Sequence, residues 1–515
     1  MDLQTIVHVF GTVLSNNPEE RKAGEQILKQ AEHTPGHIVI LLQVIVAQQL
    51  DLPIRQAASI HFKQLLHKGW EPKSDGDIRF SDADKTMVRD NLLESIIHSP
   101  ALIRSQLGEC LKAVIYNDYP EKWPSLLPLI CQKLASQEQP HLYGALYAMR
   151  ILSNKYEFKD EEDRAPMHDV VQATFPALLQ IFQNLLSVQS SAVELAELMK
   201  LICKTFWSST YLGIPKLLQN PEVFVTWMTC FDALLRMPVP QEGQPADVEA
   251  RKSWPWWKLK KWTLHVVNRM FSRFGAKMMR HAGEEHKMFT DLFKREWSVR
   301  FLHSNVELLN GLRSGQYLPD RVINLALNYV MTAVPIKKTY EVMKPQMDLI
   351  MFEIVFPLLC FNETDAELWR DDPHEYVRKG YDIIEDMYSP RTAAMNLVVE
   401  LGTCKKDRLE RFIHFIVDVF TRFNAMAPEV RPYAQKDGAL LAIGSLADKL
   451  KVTNPYKGAL ESMLVAHVLP EFQSPLGHIR AKAAWVAGQY ADIEFTNPQH
   501  FVGMLQCIVQ GLHDK

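Results

Sequence analysis

The sequence predicts an all-α protein, an α-α superhelix (solenoid) of HEAT- or armadillo-like helix pairs, and three observations support this prediction. The chain has 515 residues, whereas single hydrophobic cores stop growing near ~250–300 residues. Segment after segment places a polar capping residue before apolar residues at three- and four-residue spacing, which is typical of amphipathic helices. The predicted helix pairs recur about every 50 residues, close to the ~40–47 residues of HEAT repeats.

The first helices follow from their start signals. Asn17 can cap a helix that begins with Pro18, because proline suits the first turn and asparagine accepts a backbone hydrogen bond there. The next four start signals are Thr34-Pro35, Leu52-Pro53, Ser81 with Asp84, and Pro100. The second helices of the pairs are predicted to begin near residues 18, 53, 100, 140, 191, 255, 319, 374, 434 and 476.

Several second helices carry a basic residue early, followed by small residues that allow close stacking. The three examples are Arg55 with Ala57 and Ala58, Lys436 with Gly438 and Ala439, and Arg480 with Ala481, Ala483 and Ala484. Three charged or proline-containing stretches interrupt the helical rhythm, and we predict that they are connecting loops. They are residues 157–164, 238–253 and 366–375.

Composition excludes several classes of protein. The formal net charge is −3, which argues against a dedicated nucleic-acid binder but permits local acidic patches for basic partners. No segment approaches the ~18 apolar residues of a membrane span, and the first residues lack a secretory signal. The seven cysteines are scattered without a CxxC pair. We find no nucleotide-binding, hydrolase or metalloprotease motif, so we predict no enzymatic activity and no cofactor.

The only sequence-dense group of histidines and acids is His281, Glu284, Glu285 and His286. Its two histidines are five residues apart, which places them on different faces of a helix. The sequence therefore predicts no metal site.

The amino-terminal region contains a pattern that resembles a known family. It comprises Glu25, Leu28, Leu41-Leu42, Ile54-Arg55-Gln56-Ala57-Ala58 with Ile60 and Phe62-Lys63, and Trp70. This pattern resembles the importin-β amino-terminal domain, which in that family engages the GTP-bound form of the small GTPase Ran. The stretch Asp118-Tyr119-Pro120-x-x-Trp123-Pro124 is similar to one shared by many of these receptors.

Three further stretches resemble the importin seven/eight group of the same family, and the third also resembles the Cse1-like region of an exportin. They are Trp256-Trp257-Lys258-x-Lys260-Lys261-Trp262, Phe356-Pro357-Leu358-x-Cys360, and Asp372-Pro373-x-Glu375-Tyr376-x-Arg378. The resemblance divides the chain into importin-β amino-terminal repeats over 1–125 with a core motif at about 23–100, central repeats over 126–365, and Cse1-like repeats over 366–515. Full-length members are about twice as long, so we expect an amino-terminal half whose array is truncated.

The resemblance implies a nuclear import receptor that binds Ran-GTP and protein cargo and carries the cargo through the nuclear pore. Expected partners are Ran-GTP, basic cargo, Phe-Gly nucleoporins and another importin-β as co-receptor, with no membrane and no direct nucleic acid. The expected location is the cytoplasm, the nucleus and the nuclear pore. Two alternatives stay open: a HEAT scaffold subunit of another complex, and an export receptor of the same superfamily.

We assign candidate contacts on this basis. The Ran-binding candidates are Lys63, Gln64, Arg104, Lys112 and Arg150. The acidic partner-contact candidates are Asp371, Asp372, Glu375, Asp382, Glu385 and Asp386, for which a solvated surface is the alternative. The basic candidates are Lys258 and Lys261, beside tryptophans whose helical spacing favours a core position over stacking on single-stranded nucleic acid.

Overall fold

A computed structural model describes residues 2–74, 76–136, 138–276, 284–381 and 387–513. Regular secondary structure in these ranges is entirely helical, which confirms the predicted fold class. No helix among them is long and apolar enough to cross a membrane. The chain forms two compact units, residues 1–230 and 231–515.

The first unit is a succession of antiparallel helix pairs joined by short turns. Its helices are α1 Leu3–Val13, α2 Pro18–Ala31, α3 His37–Val46, α4 Leu52–Gly69, α5 Asp82–Ile97, α6 Ala101–Asp118, α7 Leu126–Leu134, α8 Gln139–Lys155, α9 Ala165–Ser187, α10 Val193–Ser209 and α11 Lys216–Gln219. The helix α12, Pro221–Arg236, contains the boundary between the two units.

The residues predicted to start α2 and α5 cap these helices in the structure. The Asn17 side chain accepts a hydrogen bond from the Glu19 N–H at 3.0 Å. The Ser81 hydroxyl accepts one from the Asp84 N–H at 3.1 Å. Each bond satisfies one of the backbone donors that a helix start leaves open. The helix α3 begins later than the start signal Thr34-Pro35 predicts, because Gly36 adopts a left-handed conformation with φ 78° and the helix begins only at His37.

Second helices of neighbouring pairs pack on one another in the order α4, α6, α8 and α10. Arg55 supports this stack, because its side chain is buried and donates from Nε to the Ile45 carbonyl at 2.8 Å. The basic residue of this repeat therefore ties the second helix to the end of the first.

A buried carboxylate joins α4, α5 and α6. Asp118 is 1% exposed and accepts hydrogen bonds from the Trp70 indole at 3.2 Å and from the Arg89 guanidinium at 2.9 Å. Nearby, Lys122 and Glu71 form an exposed ion pair of similar length, 2.8 Å. The two ion pairs differ chiefly in burial.

The second unit also consists of helix pairs, and four of its helices contain a π-helical turn among the described residues. Its α-helices after α12 are Val248–Ser253, Pro255–Arg269, Glu284–Leu292, Ser298–Arg313, Asp320–Ala333, Lys337–Met343, Met347–Leu349, Phe356–Leu359, Glu363–Asp371, Pro373–Tyr381, Pro390–Cys404, Lys406–Ala425, Tyr433–Ser445, Ala447–Leu450, Leu460–Met463, Gly477–Gln489 and Pro498–Gly511. The π-helical turns are Met270–Gly275, Phe293–Trp297, Ile350–Val355 and Leu464–Val468.

The predicted stacking residues of the Tyr433–Ser445 helix lie in the core. Lys436 is fully buried, and its ammonium lies 2.9 Å from Glu471 and 4.6 Å from the centre of the Phe420 ring. A Cβ atom on Gly438 would lie 2.9 Å from the Cys360 Sγ and 3.0 Å from the Cys360 backbone nitrogen. Glycine is therefore required here by the close approach of two backbones.

The prediction of a loop over 366–375 was wrong, and so was the prediction of a second helix starting near 374. Two short helices, Glu363–Asp371 and Pro373–Tyr381, pack on each other and form a hairpin inserted between repeats. The second helix of that repeat is Pro390–Cys404, which packs against Asp320–Ala333. The hairpin helices carry the same capping signals as repeat helices, but neither has a continuous buried apolar face.

The other two predicted loops are partly helical. Residues 161–164 form a 3₁₀ turn, and residues 248–253 form a short helix. In the first of these stretches Glu157 and Arg164 are buried. Glu157 accepts a hydrogen bond from Ser208 at 2.6 Å, and Arg164 donates to the Ser209 carbonyl at 3.0 Å. These charges therefore hold the connection onto α10.

Candidate partner-binding surfaces

The Ran-binding candidates all lie on second helices of the first unit. Lys63 and Gln64 are on α4, Arg104 and Lys112 on α6, and Arg150 on α8. These three helices pack in succession, so the structure brings the candidates onto neighbouring elements. Gln64 and Lys112 are exposed, and Lys63 is half-buried.

Arg104 and Arg150 are held by contacts inside the unit. Arg104 donates to the Ser99 carbonyl at 3.0 Å and lies 4.7 Å from the centre of the Tyr143 ring. Arg150 hydrogen-bonds to Ser208 and lies 3.6 Å from the Glu157 carboxylate. Burial lowers the pKa of the Arg150 guanidinium, and Glu157 opposes that shift. A partner would have to compete with these contacts, whereas Lys63, Gln64 and Lys112 are more accessible.

A groove in the first unit was not predicted from the sequence. Its volume is about 450 Å³, and it is lined by residues at the end of α5 and near the starts of α6, α8 and α10. The lining includes Arg104, Tyr143, Val193, Glu194 and Leu198. These residues are up to 94 positions apart (104 to 198), so no local spacing pattern could have indicated the groove.

Three of the acidic candidates, Asp371, Asp372 and Glu375, lie on the inserted hairpin. Residues 363–381 contain six carboxylates and three basic residues, and Asp371 and Asp372 are exposed. The hairpin is fixed at its base, because Asp365 forms an ion pair with Arg391. Its Trp369 packs edge-to-face against Tyr376 with ring centres 5.3 Å apart. An anchored hairpin thus presents an excess of negative charge to solvent.

Two of these carboxylates also have local structural roles. Asp372 caps the second hairpin helix by accepting from the Glu375 N–H at 2.9 Å. Glu375 pairs with Arg378 at 2.7 Å, and this hydrogen bond lowers the pKa of Glu375. The candidates Asp382, Glu385 and Asp386 lie outside the described residues. The same applies to His281 of the sequence-dense histidine group and to the side chains of Glu284, Glu285 and His286.

The basic candidates Lys258 and Lys261 line one cavity of about 210 Å³ in the second unit. Lys252 and Arg321 line it as well, together with Asp320. The cavity is therefore predominantly cationic, which suits an anionic group of a partner. Lys252 and Arg321 were not predicted, because they come from helices other than that of Lys258 and Lys261.

Two tryptophans of this stretch, Trp256 and Trp257, belong to the core, as their spacing predicted, whereas Trp262 is half-buried. Trp256 and Trp257 are 3% and 6% exposed. Lys260, between the two candidate lysines, is also buried, and it donates to the Leu235 and Met237 carbonyls at 2.8 and 2.6 Å. Burial lowers the pKa of Lys260 to about 7. This lysine therefore caps the end of α12 and is not a surface residue.

The stacked helix pairs and the inserted hairpin define a HEAT-type helical solenoid with charged surfaces. Two family models match the sequence. The Importin-beta N-terminal domain matches residues 24–98, and Cse1 matches residues 154–474. The chain belongs to the importin-β family of nuclear transport receptors.

Relatives within the family cover the whole chain. It is 50% identical over 516 residues to an importin beta-like SAD2 homolog of Arabidopsis thaliana, with 100% of this chain and 50% of the relative covered. It is 33% identical over 504 residues to importin-8 of Homo sapiens, with 96% of this chain and 47% of the relative covered. The chain thus spans about half the length of the curated relatives it matches.

A solved structure of the exportin Cse1 in its cargo-free, cytoplasmic state has a similar fold. The TM-score is 0.76 at 18% identity, with 100% of this chain and 55% of that chain covered. At this identity the similarity supports the solenoid fold alone.

Proposed function

We propose that the protein is a nuclear import receptor that binds Ran-GTP and protein cargo and carries the cargo between cytoplasm and nucleus through the nuclear pore. The observation that carries the proposal is the match of residues 24–98 to the Importin-beta N-terminal domain. This match covers α3, α4 and α5 and most of α2. The similarity to a human importin over 96% of the chain supports import as the direction of transport.

We infer that Ran-GTP binds to the second helices of the first four pairs. Its accessible contacts are Lys63, Gln64 and Lys112. The side chains of Arg104 and Arg150 contact Ran after breaking their contacts inside the unit. The test is a binding measurement with Ran locked in its GTP and GDP forms. We expect strong preference for Ran-GTP, and equal binding of the two forms would refute the proposal.

Charge-reversal variants test the location of this contact. Lys63→Glu combined with Lys112→Glu should weaken Ran-GTP binding at least ~10-fold, because each contact between close opposite charges is worth roughly 1 kcal/mol or more. Lys159→Glu combined with Lys216→Glu is the control with the same change in net charge, since both lysines are exposed in the same unit but lie outside its second helices. If control and double variant weaken binding equally, the effect reflects net charge and not a specific contact.

The acidic hairpin is the proposed contact for a basic cargo or a basic patch of Ran. Its surplus carboxylates would raise association rates most strongly at low salt. The triple change Asp371→Asn, Asp372→Asn and Glu375→Gln should weaken binding and flatten its salt dependence. Thermal stability should change little, because asparagine also caps helices and the exposed Glu375 ion pair contributes little to folding. Unchanged affinity and salt slope would make the hairpin surface an ordinary solvated one.

The direction of transport follows from the sign of the coupling between Ran and cargo. In an import receptor Ran-GTP lowers the affinity for cargo, and by reciprocity cargo lowers the affinity for Ran-GTP by the same factor. The match to the Cse1 family model favours an export receptor as the second candidate. Ran-GTP would then raise the affinity for cargo, so a cargo titration with and without Ran-GTP distinguishes the two. Phe-Gly nucleoporins and another importin-β as co-receptor complete the proposed set of partners.

A further inference from the structure

Two histidines and one carboxylate from two helices of the first unit point toward a common centre. Glu94 and His98 lie one turn apart at the end of α5, and His141 lies in the first turn of α8. The Glu94 Oε1 atom is 3.3 Å from His98 Nε2 and 3.6 Å from His141 Nε2. One ligand atom from each residue lies within 4.8 Å of the other two.

These separations suit a small divalent metal ion. Zinc binds imidazole nitrogens and carboxylate oxygens at about 2.0–2.2 Å in a tetrahedron, so two ligands are roughly 3.3–3.6 Å apart. The two distances from Glu94 Oε1 already fall in this range. The pair of histidines needs at most a modest side-chain rotation to reach the same separation.

The neighbours of the cluster prepare it for this role. The Ser136 hydroxyl lies 3.1 Å from His141 Nδ1, and when Nδ1–H donates to this hydroxyl the Nε2 lone pair is free to bind a metal ion. Lys133 contacts the other carboxylate oxygen, Glu94 Oε2, at 2.7 Å and leaves Oε1 facing the histidines. Glu138 lies 3.5 Å from His141 Nδ1 and adds negative charge near the centre.

We propose that Glu94, His98 and His141 form a zinc-binding site that clamps the end of α5 to the start of α8. The mixed nitrogen and oxygen donors favour zinc over magnesium or calcium, which prefer oxygen ligands alone. His98 and Glu94 are half-exposed, so an ion can enter from solvent and a water molecule completes the tetrahedron. Zinc binding at this site can be tested apart from the proposed transport function.

The test is isothermal titration of the whole chain with Zn²⁺ at pH 7.5, with Mg²⁺ in parallel. The wild type should bind one more zinc ion than the His98→Ala/His141→Ala double variant. His98→Ala and His141→Ala alone should each lower the affinity for zinc at least ~100-fold. Removing a residue that only hydrogen-bonds to a metal ligand lowers the affinity ~10–100-fold, and removing the ligand itself should lower it further. His168→Ala is the matched control, because His168 also contacts a carboxylate, Glu161, at 3.0 Å but belongs to no group of three potential ligands among the residues that the structure describes.

A second measurement separates ligation from a folding defect. Zinc should slow hydrogen exchange at the junction of α5 and α8 in the wild type and in His168→Ala, and not in the double variant. The helical circular dichroism of all variants should match, since the changed side chains are at least partly exposed. The proposal is overturned if the wild type binds no zinc, or if the double variant binds the same number of ions with the same affinity.

Discussion

Replacing Asp118 should destabilise the junction of α4, α5 and α6 far more than breaking a surface ion pair of the same length. Asp118→Asn keeps the shape and one acceptor oxygen for Trp70 but leaves the Arg89 guanidinium without its carboxylate. The Arg89 side chain is only 14% exposed. Breaking a buried pair costs about 3–5 kcal/mol, and partial access of Arg89 to water reduces this to roughly 2–3 kcal/mol.

Two further variants complete the comparison. Asp118→Ala also removes the acceptor for the Trp70 indole, which adds about 1–3 kcal/mol for a buried unpaired donor. Glu71→Gln breaks the exposed pair with Lys122 and should cost less than about 1 kcal/mol. The expected loss of stability is therefore largest for Asp118→Ala, smaller for Asp118→Asn and smallest for Glu71→Gln. Burial causes this order, because the two ion pairs have nearly equal N–O distances of 2.9 and 2.8 Å.

Hydrogen exchange followed by mass spectrometry measures the opening free energy of α4, α5 and α6 directly. This assay suits an array of repeats, in which helices can open locally without one global transition. If Asp118→Asn and Glu71→Gln changed the opening free energy equally, within about 0.5 kcal/mol, the assignment of the Asp118 contacts as a buried determinant of stability would be refuted.

Three other variants should change the stability of the protein in a direction that the structure predicts. Gly438→Ala should destabilise the second unit by about 1–3 kcal/mol, because the new Cβ meets the Cys360 backbone. Gly488→Ala should instead stabilise it by roughly 0.5 kcal/mol, because the new Cβ meets nothing within 4 Å. Urea unfolding compares the two variants, and equal changes in the free energy of unfolding would contradict the packing argument. His37 is 2% exposed with no hydrogen bond at either ring nitrogen, and burial, with His61 nearby, lowers its pKa to about 4 from 6.5. Because only the unfolded state binds this proton between those values, the wild type loses up to ~1.4 kcal/mol of stability per pH unit as the pH falls from 6.5 to 4. The melting temperature of His37→Leu should therefore exceed that of the wild type by more at pH 5 than at pH 7.5. A difference that stays constant with pH would refute the lowered pKa of His37.

Local sequence signals predicted the helical architecture because helix caps and apolar periodicity act within a few residues. Asn17 and Ser81 cap the helices that they were expected to cap. The basic and small residues at Lys436 and Gly438 marked a stacked second helix. The amino-terminal pattern likewise indicated the importin-β family before any fold was known.

The same local signals failed where the choice between elements depended on packing. The hairpin over 363–381 has capping residues as good as those of any repeat helix, so the sequence placed a second helix near 374. Only the packing of Pro390–Cys404 against Asp320–Ala333 shows which helix belongs to the stack. Lys260 illustrates the same limit, because it lies between two half-buried lysines and is itself buried, with its ammonium on the carbonyls at the end of α12.

The sequence by itself determined the fold class, the family and the helices that carry the candidate Ran contacts, because each of these depends on patterns between residues close in the chain. The tertiary structure alone decided which charges meet. It placed Lys436 against Glu471, gathered Lys258 and Arg321 around one cavity, and brought His141 to Glu94 from 47 positions away. Such contacts depend on how helices from separate repeats stack, and that geometry is not encoded in the spacing of residues along any single helix.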